Sequence, residues 1–311
     1  MTSTLVDSTR RQNMAMRATF EGYLRALAGR FPTLPDKPEE TVRATVAALW
    51  QLAAGQPMSA AVAVLAPILA LDAAGEARVK ALLARRIAGE PLAYITGLQR
   101  FMGLDLLASP AAMIPRRETE LLATAAIDCA LQMRADRELI VLDICTGSGN
   151  VACAIASRVP AAQIFASDIS SDAVALANRN VTRCGFQGRI HMRQGDFTQP
   201  FEVPQFIAQS DLLVCNPPYI SAPKRRAMVA EIAQYEPPQA FDGGPLGINL
   251  LSRLIREAPK YLRPGGMVAF ELGLGQGPAV CQRVERSEML ELMSTVDDAE
   301  GHIRVVVARR R

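Results

Sequence analysis

The sequence predicts an α/β protein with a doubly wound, mostly parallel β-sheet that ends in an antiparallel closing hairpin, preceded by a small all-helical N-terminal domain. Three observations predict this fold. After Pro115, short apolar runs alternate with helical stretches, as in strand–helix–strand units. Before about residue 90, apolar residues recur at helical spacing and no strand pattern occurs. Two apolar runs around a polar turn close the chain and predict the hairpin.

The composition fits a globular protein of about two domains. Of the 311 residues, 50% are hydrophobic and 21% are charged, so the chain can bury a sizeable core and general disorder is excluded. Lys plus Arg exceeds Asp plus Glu by only 34 to 31, an excess too small to mark the whole chain as a nucleic-acid binder, although it leaves room for a local basic patch. Neither a secretory signal nor a membrane-spanning apolar run is found, so we expect a cytoplasmic protein without membrane contact.

Cysteine and histidine usage predicts no metal site. The 6 cysteines show no CxxC spacing, and the 2 histidines lie far apart in the sequence. Free thiols fit a reducing compartment. Chemistry based on a histidine base or a zinc ion is therefore not expected.

We place three regions along the chain: 1–90 as the helical domain, 91–115 as an interdomain segment and 116–311 as the sheet domain. In the first region, predicted helices cover 39–51, 58–71 and 77–87, with breaks at 31–38 and 73–75. In the last region, predicted strands cover 139–144, 163–166, 190–193, 211–215 and 267–272. The helices between and after them cover 151–158, 172–184, 246–262 and 277–286, and the hairpin pairs 290–296 with 303–308.

A glycine-rich turn after the first of these strands indicates an adenosine-type cofactor. Thr146, Gly147 and Gly149 lie in this turn, and glycines permit unusual dihedrals and close approach of a ligand. Asp168 ends the next strand, about 20 residues downstream, where a carboxylate can accept hydrogen bonds from both ribose hydroxyls. A plain loop would explain the glycine-rich turn alone, and a solvated side chain would explain Asp168 alone. The spacing between the two signals favours a cofactor site.

Asp143 favours S-adenosylmethionine over a dinucleotide. The turn also satisfies the loose dinucleotide fingerprint, which is a weak signal by itself. Asp143 ends the strand four residues before Gly147, where it would repel a pyrophosphate and attract the sulfonium and ammonium groups of S-adenosylmethionine. Asp196 and Phe197, after the third strand, are placed to contact adenine, the carboxylate at its amino group and the ring by stacking.

The sequence Asn216-Pro217-Pro218-Tyr219 follows the buried strand at 211–215 and predicts a receptor for a planar NH₂ group. Two prolines fix φ and remove two N–H donors, which leaves carbonyl groups free to accept. Asn216 offers its side-chain oxygen and Pro217 its backbone carbonyl, while Tyr219 offers a flat face and a hydroxyl. We therefore take Asn216, Pro217 and Tyr219 as the candidate catalytic residues, with Asn216 also beside the cofactor.

From about Arg86 onward, the chain resembles the HemK-type protein-glutamine N5-methyltransferases. The most specific resemblance lies in Gly-Glu-Pro-Leu-Ala-Tyr from Gly89 and Pro-Arg-Arg-Glu-Thr-Glu from Pro115, joined by the Asp143 turn and the Asn216 motif. The segments Tyr235-Glu236-Pro237 and Asp242-Gly243-Gly244 also resemble the family.

The resemblance implies a class I, Rossmann-like methyltransferase that uses S-adenosylmethionine and releases S-adenosylhomocysteine. It further implies that the acceptor is the side-chain N5 of a glutamine in a protein, such as a peptide chain release factor or a ribosomal protein, and that region 1–90 recognises this substrate. Cys145 departs from the family's usual Gly or Ala, Arg117 from a frequent Pro, and Pro238 from a frequent Arg.

Three alternatives remain open at the level of sequence. A small-molecule amine or amide methyltransferase of specialised metabolism would use the same Asn216 motif. A nucleic-acid adenine or cytosine methyltransferase also shares this motif, but the near-neutral charge balance weighs against it. The intact motif disfavours a non-catalytic cofactor-binding module.

Overall fold

A computed structural model describes residues 2–30, 36–133, 137–221, 230–244 and 247–311, without the side chains of 2–13, 15 and 230. The chain forms two compact units, Met1–Arg100 and Phe101–Arg311. The division falls inside the segment 91–115 that we expected between the domains. Part of the predicted break at 31–38 lies outside the described residues.

The first unit contains five helices among its described residues and has a core of its own. The helices are α1 (Thr2–Leu27), α2 (Val42–Ala53), α3 (Ala60–Ala63), α4 (Ala73–Ile87) and α5 (Leu92–Thr96). Trp50, 1% exposed, lies in this core, and Phe20 packs edge-on against it with ring centroids 5.6 Å apart. Two short strands follow, β1 (Leu98–Phe101) and β2 (Leu104–Leu107).

Two sequence predictions in this unit are wrong, and both errors have a physical cause. Only Ala60–Ala63 of the predicted helix 58–71 is helical, because α2 side chains bind the carbonyl groups that follow it. Trp50 Nε1 donates to the Leu69 carbonyl and Gln51 Nε2 to the Pro67 carbonyl, each at 2.7 Å. The predicted turn 73–75 instead opens α4, because the Asp72 side chain caps the helix by accepting from the Gly75 N–H at 2.6 Å.

The second unit contains the predicted sheet, with the strand order β5-β4-β3-β6-β7-β9-β8. The strands are β3 (Leu139–Ile144), β4 (Ala162–Asp168), β5 (Ile190–Gln194), β6 (Ser210–Cys215), β7 (Leu262–Glu271), β8 (Leu290–Asp297) and β9 (Ile303–Arg310). The pairs from β5 to β7 are parallel, whereas β9 is antiparallel to both β7 and β8. The predicted fold class, including the closing hairpin, is confirmed.

Six α-helices of this unit lie within the described residues. They are α6 (Thr119–Gln132), α7 (Asn150–Arg158), α8 (Ser171–Cys184), α9 (Ala230–Tyr235), α10 (Asn249–Tyr261) and α11 (Gly277–Glu285). Ser170 caps α8, because its hydroxyl accepts from the Ala173 N–H at 3.2 Å. The helix predicted over 246–262 begins only at Asn249, and Leu246 lies outside the described residues. α6 was not predicted.

Both faces of the central strand β3 are buried. Val141 packs into one apolar cluster with α6 and α7, while Leu142 and Ile144 pack into a second cluster with α10. The chain runs from β3 outward to β4 and β5, then returns to place β6 on the other side of β3. A ligand crevice is expected at such a reversal, at the carboxyl ends of the strands.

Candidate active site

A cavity of about 610 Å³ lies at the carboxyl ends of β3, β4 and β6. Seven of the residues singled out in the sequence line it: Asp143, Thr146, Gly147, Asp168, Asp196, Phe197 and Asn216. Gly149, Pro217 and Tyr219 are not among its described lining residues. The structure thus brings most of the predicted cofactor residues and Asn216 into one space.

Gly147 and Gly149 differ in the space that surrounds their Cα atoms. Gly147 has a φ of +55°, and a Cβ built on it would meet no atom within 4 Å. Gly149 has a φ of +77°, and a Cβ there would press on Ala177 Cβ and Met192 Cε at 3.2 Å. Gly147 therefore keeps open space beside the cavity, whereas Gly149 allows the turn to pack against α8 and β5.

Asp168 is held by backbone groups on both of its oxygens. Gly147 N–H donates to Oδ2 and Ser170 N–H to Oδ1, each at 2.9 Å. Burial raises the pKa of Asp168, and these hydrogen bonds oppose the rise. Each carboxylate oxygen has a second acceptor site, so the fixed carboxylate retains capacity for two ribose hydroxyls.

Asp143 is 2% exposed, and burial raises its pKa from 3.8 to about 7. The Thr146 hydroxyl donates to Asp143 Oδ2 at 2.7 Å and, with the Ala152 N–H, favours the charged form. A cation in the cavity would favour that form further.

Cys145 occupies a backbone conformation that normally requires glycine. Its φ is +60°, the left-handed region where a Cβ is strained. It lines the cavity and also packs against the buried cluster that contains Cys215. A glycine at this position would relieve the backbone strain, because it has no Cβ.

Arg253, on α10, holds the two residues predicted to contact adenine. Its Nη1 lies 2.8 Å from Asp196 Oδ2, and its guanidinium lies 4.8 Å from the Phe197 ring centroid. Phe197 has a φ of +56° and is 4% exposed. Sequence reasoning missed Arg253, because it lies 57 residues from Asp196 and belongs to no motif.

The two ends of the Asn216–Tyr219 turn bind buried side chains. Asn216 Nδ2 donates to Thr119 Oγ1 at 3.1 Å, and both residues line the cavity. The Tyr219 hydroxyl donates to Glu271 Oε1 at 2.7 Å, so it is not presented to the cavity as we had expected. Burial raises the pKa of Glu271, which is 1% exposed. Tyr219 thus ties the turn to the end of β7.

Comparison with known proteins identifies the family. A methyltransferase-domain family model matches residues 141–238, and the PrmC N-terminal domain model matches residues 37–97. The release factor glutamine methyltransferase of Geobacter sulfurreducens is 39% identical over 233 residues, covering 75% of this chain and 78% of that protein. The release factor glutamine methyltransferase of Gloeobacter violaceus is 36% identical over 239 residues, covering 76% of this chain and 81% of that protein. The chain belongs to the release factor glutamine methyltransferase family.

This membership confirms the family that the sequence motifs indicated. The protein is an S-adenosylmethionine-dependent methyltransferase. The described cavity lining fits this cofactor on its own chemistry. Its charged residues are all acidic: Asp143, Asp168, Asp196 and Asp242. Such a wall accommodates sulfonium and ammonium groups and disfavours a pyrophosphate. No helix among the described residues is both long and apolar enough to cross a membrane.

Two family segments line the cavity that we had not assigned to the site. They contribute residues 111–113 and 115 from one side and 237–240 and 242 from the other. Glu236, 3% exposed, joins them: it forms an ion pair with Arg116, and its Oε2 accepts from the Ile114 N–H at 3.0 Å. The Pro115 and Tyr235 motifs were the signal that could have placed these segments at the site.

Proposed function

We propose that this protein transfers a methyl group from S-adenosylmethionine to the side-chain N5 of a glutamine in a peptide chain release factor. The carrying observation is the position of Asn216. Its amide nitrogen is already bound to Thr119, and it lies in the same cavity as Asp143 and Asp168. The curated relatives named for this reaction support the choice of acceptor.

The cofactor residues have separate roles in this proposal. Asp168 accepts from the ribose hydroxyls, Asp143 stabilises the cationic part of the cofactor, and Thr146 and Gly147 shape the turn around it. Asp196 and Phe197 contact adenine, in positions set by Arg253. When bound, S-adenosylmethionine supplies an electrophilic methyl group.

An amide nitrogen is a poor nucleophile, because its lone pair is delocalised into the carbonyl group. Asn216 Oδ1 and the Pro217 carbonyl each accept one N–H of the glutamine amide, which directs the nitrogen lone pair at the methyl group. This contribution is positioning and electrostatic stabilisation, and it requires no strong base. The proton leaves after attack, when the methylated nitrogen has become acidic.

We further propose that region 1–90 recognises the protein substrate and that the enzyme acts in the cytoplasm, where translation occurs. The match of residues 37–97 to the PrmC N-terminal domain supports this assignment. The small-molecule alternative is not favoured, because the similar curated proteins are named for release factors.

Mass spectrometry of a purified release factor, incubated with the enzyme and S-adenosylmethionine, tests the proposal. We expect a gain of one methyl group on a glutamine, and no gain with the Asn216→Asp enzyme. An unmodified release factor would refute the proposed acceptor if the same enzyme preparation binds S-adenosylhomocysteine in calorimetry.

A further inference from the structure

The side chain of Gln276 joins separate stretches of backbone around the Asn216–Tyr219 turn. Its Nε2 donates to the Tyr219 carbonyl and to the Gly247 carbonyl, each at 3.0 Å. Its Oε1 accepts from the Gly273 N–H at 2.8 Å. Gln276 directly precedes α11 and is not among the described residues that line the cavity. It therefore holds the turn from outside this lining.

The carboxamide of Gln276 has only one orientation that satisfies these partners. A backbone N–H can only donate, and a backbone carbonyl can only accept. Oε1 must therefore face Gly273, and the two protons on Nε2 must face the two carbonyl groups. Turning the carboxamide over would set its oxygen against two carbonyl oxygens and its NH₂ group against an N–H.

Glycines allow close packing around Tyr219. A Cβ on Gly247, whose φ is +70°, would collide with the Tyr219 carbonyl oxygen. A Cβ on Gly243 would lie 2.8 Å from Tyr219 Cα, and one on Gly273 would lie 2.8 Å from Tyr219 Cδ2. The Tyr219 hydroxyl donates to Glu271 Oε1 at 2.7 Å. Tyr219 is therefore held at its carbonyl, its Cα, its ring and its hydroxyl.

The position of Tyr219 affects the proposed acceptor groups, because the turn has few free torsions. The rings of Pro217 and Pro218 fix φ at two successive residues. At the start of the turn, Asn216 follows β6, which pairs with both β3 and β7. The sheet thus holds the turn before Asn216, and Gln276 holds it after Pro218. A displaced Tyr219 carbonyl would displace the Pro217 carbonyl with it.

We propose that Gln276 is a positioning residue for methyl transfer. By holding the Tyr219 carbonyl, it fixes the turn whose Asn216 and Pro217 oxygens accept from the glutamine amide. This inference rests on the proposed function. Gln276 does not touch the reacting atoms in the proposed reaction, so its loss should lower the rate of methyl transfer and spare cofactor affinity.

The kinetic test uses Gln276→Glu at about pH 8, where a glutamate side chain is ionised. This variant keeps the shape and the acceptor for the Gly273 N–H, but it has no proton to give to either carbonyl group. We expect kcat on the release factor to fall at least about 10-fold, a barrier change of roughly 1.4 kcal/mol. Calorimetry should show an S-adenosylhomocysteine affinity within about 2-fold of wild type.

The matched control is Gln282→Glu, at an exposed glutamine on α11, which should retain the wild-type rate. A wild-type kcat in Gln276→Glu would show that the bond to Gly273 is sufficient and would overturn the proposal. A loss of cofactor affinity as large as the loss of kcat would overturn it as well.

A second measurement detects the Tyr219 carbonyl without turnover. Labelling with ¹³C at tyrosine carbonyls and ¹⁵N at isoleucine amides reports two peptide bonds of this chain, those after Tyr94 and Tyr219. Tyr94→Phe assigns the signals by removing one of them. The Tyr219 carbonyl resonance should move in Gln276→Glu and in Gln276→Met, while the Tyr94 resonance stays in place. An unmoved Tyr219 resonance in either folded variant would refute the contact, and if one variant does not fold, the other still gives this result.

The two proposals can fail separately. If wild-type enzyme leaves the release factor unmethylated, the proposed acceptor is wrong, and the carbonyl resonance alone decides whether Gln276 holds the turn. In kinetics, Gln276→Glu should add little to the loss already caused by Asn216→Ala, because both act through one turn. Fully additive losses would show that Gln276 acts elsewhere.

Discussion

Asp143 is a buried carboxyl group whose charge is sensitive to pH in the physiological range. Burial raises its pKa from 3.8 to about 7. Between these values the folded protein holds a proton that the unfolded chain has lost. This group therefore makes the folded protein less stable as pH rises across that window, and its full penalty applies above about 7.

Asp143→Asn should raise the Tm of the ligand-free protein at about pH 8, because it removes a buried charge, and change it much less near pH 5. Thermal unfolding at the two pH values measures the difference. Asp128→Asn, an exposed aspartate on α6, is the matched control and should show no such pH dependence. An equal Tm change at both pH values would contradict the raised pKa.

Asp168→Ala should weaken S-adenosylhomocysteine binding by about 1.5–3 kcal/mol for each lost charge-assisted hydrogen bond. Calorimetry measures this change. The variant also loses the acceptor for the Gly147 N–H, so circular dichroism should accompany it to show that the fold is retained. An affinity equal to wild type would mean that Asp168 does not hold the ribose.

Asn216→Ala should lower turnover by about 10²–10³-fold while cofactor affinity stays close to wild type, because an aligned acceptor is lost. Rates on the release factor and calorimetry with S-adenosylhomocysteine separate the two effects. Asn178→Ala, an exposed asparagine on α8, is the matched control. If Asn216→Ala kept more than about a tenth of the wild-type rate, a cost under roughly 1.4 kcal/mol, Asn216 would not be the amide acceptor.

At the scale of elements, the buried ion pair between Glu236 and Arg116 holds together the two segments that line the cavity around residues 111–115 and 237–242. The two paired residues lie 120 positions apart in the sequence. Glu236→Gln should lower the free energy of unfolding by on the order of 3 kcal/mol, because one partner of a buried pair is neutralised. Denaturant unfolding measures this loss. Glu202→Gln, which breaks the exposed pair with Lys260, should leave stability unchanged. Similar stabilities of the two variants would contradict a structural role for the buried pair.

The sequence predicted those elements whose patterns are local. β3 was predicted over 139–144 and runs from Leu139 to Ile144, because a short apolar run before glycines has few other solutions. The helix over 58–71 failed, since distant side chains of Trp50 and Gln51 bind its carbonyl groups. Asp143 and Asp168 could be placed in one cavity from the sequence, because each lies at the carboxyl end of a predicted parallel strand. The partners of the site residues were not predictable, because Glu271 and Arg253 lie more than 50 residues from the groups they hold.

At the scale of the whole molecule, each compact unit contains apolar clusters of its own. The cluster around Trp50 consists of residues 16–95, while the sheet clusters begin at Phe101. Removal of residues 1–97 should therefore leave S-adenosylhomocysteine binding intact and weaken the apparent affinity for the release factor, since remote contacts contribute binding energy. Kinetics with the whole release factor and with a short glutamine peptide measure the difference. Equal loss on both substrates would refute a docking role for region 1–90.

The order of the strands along the chain also determines when each group of cavity residues is synthesised. The glycine turn and Asp168 belong to β3, β4 and their connections, whereas Asn216 follows β6 and Glu271 ends β7. A growing chain therefore contains Asp168 about 100 residues before it contains Glu271, which is roughly 5–20 seconds of translation at about 5–20 residues per second. A ribosome-bound chain that ends before Glu271 therefore contains the glycine turn and Asp168 but lacks the carboxylate that holds the Tyr219 hydroxyl.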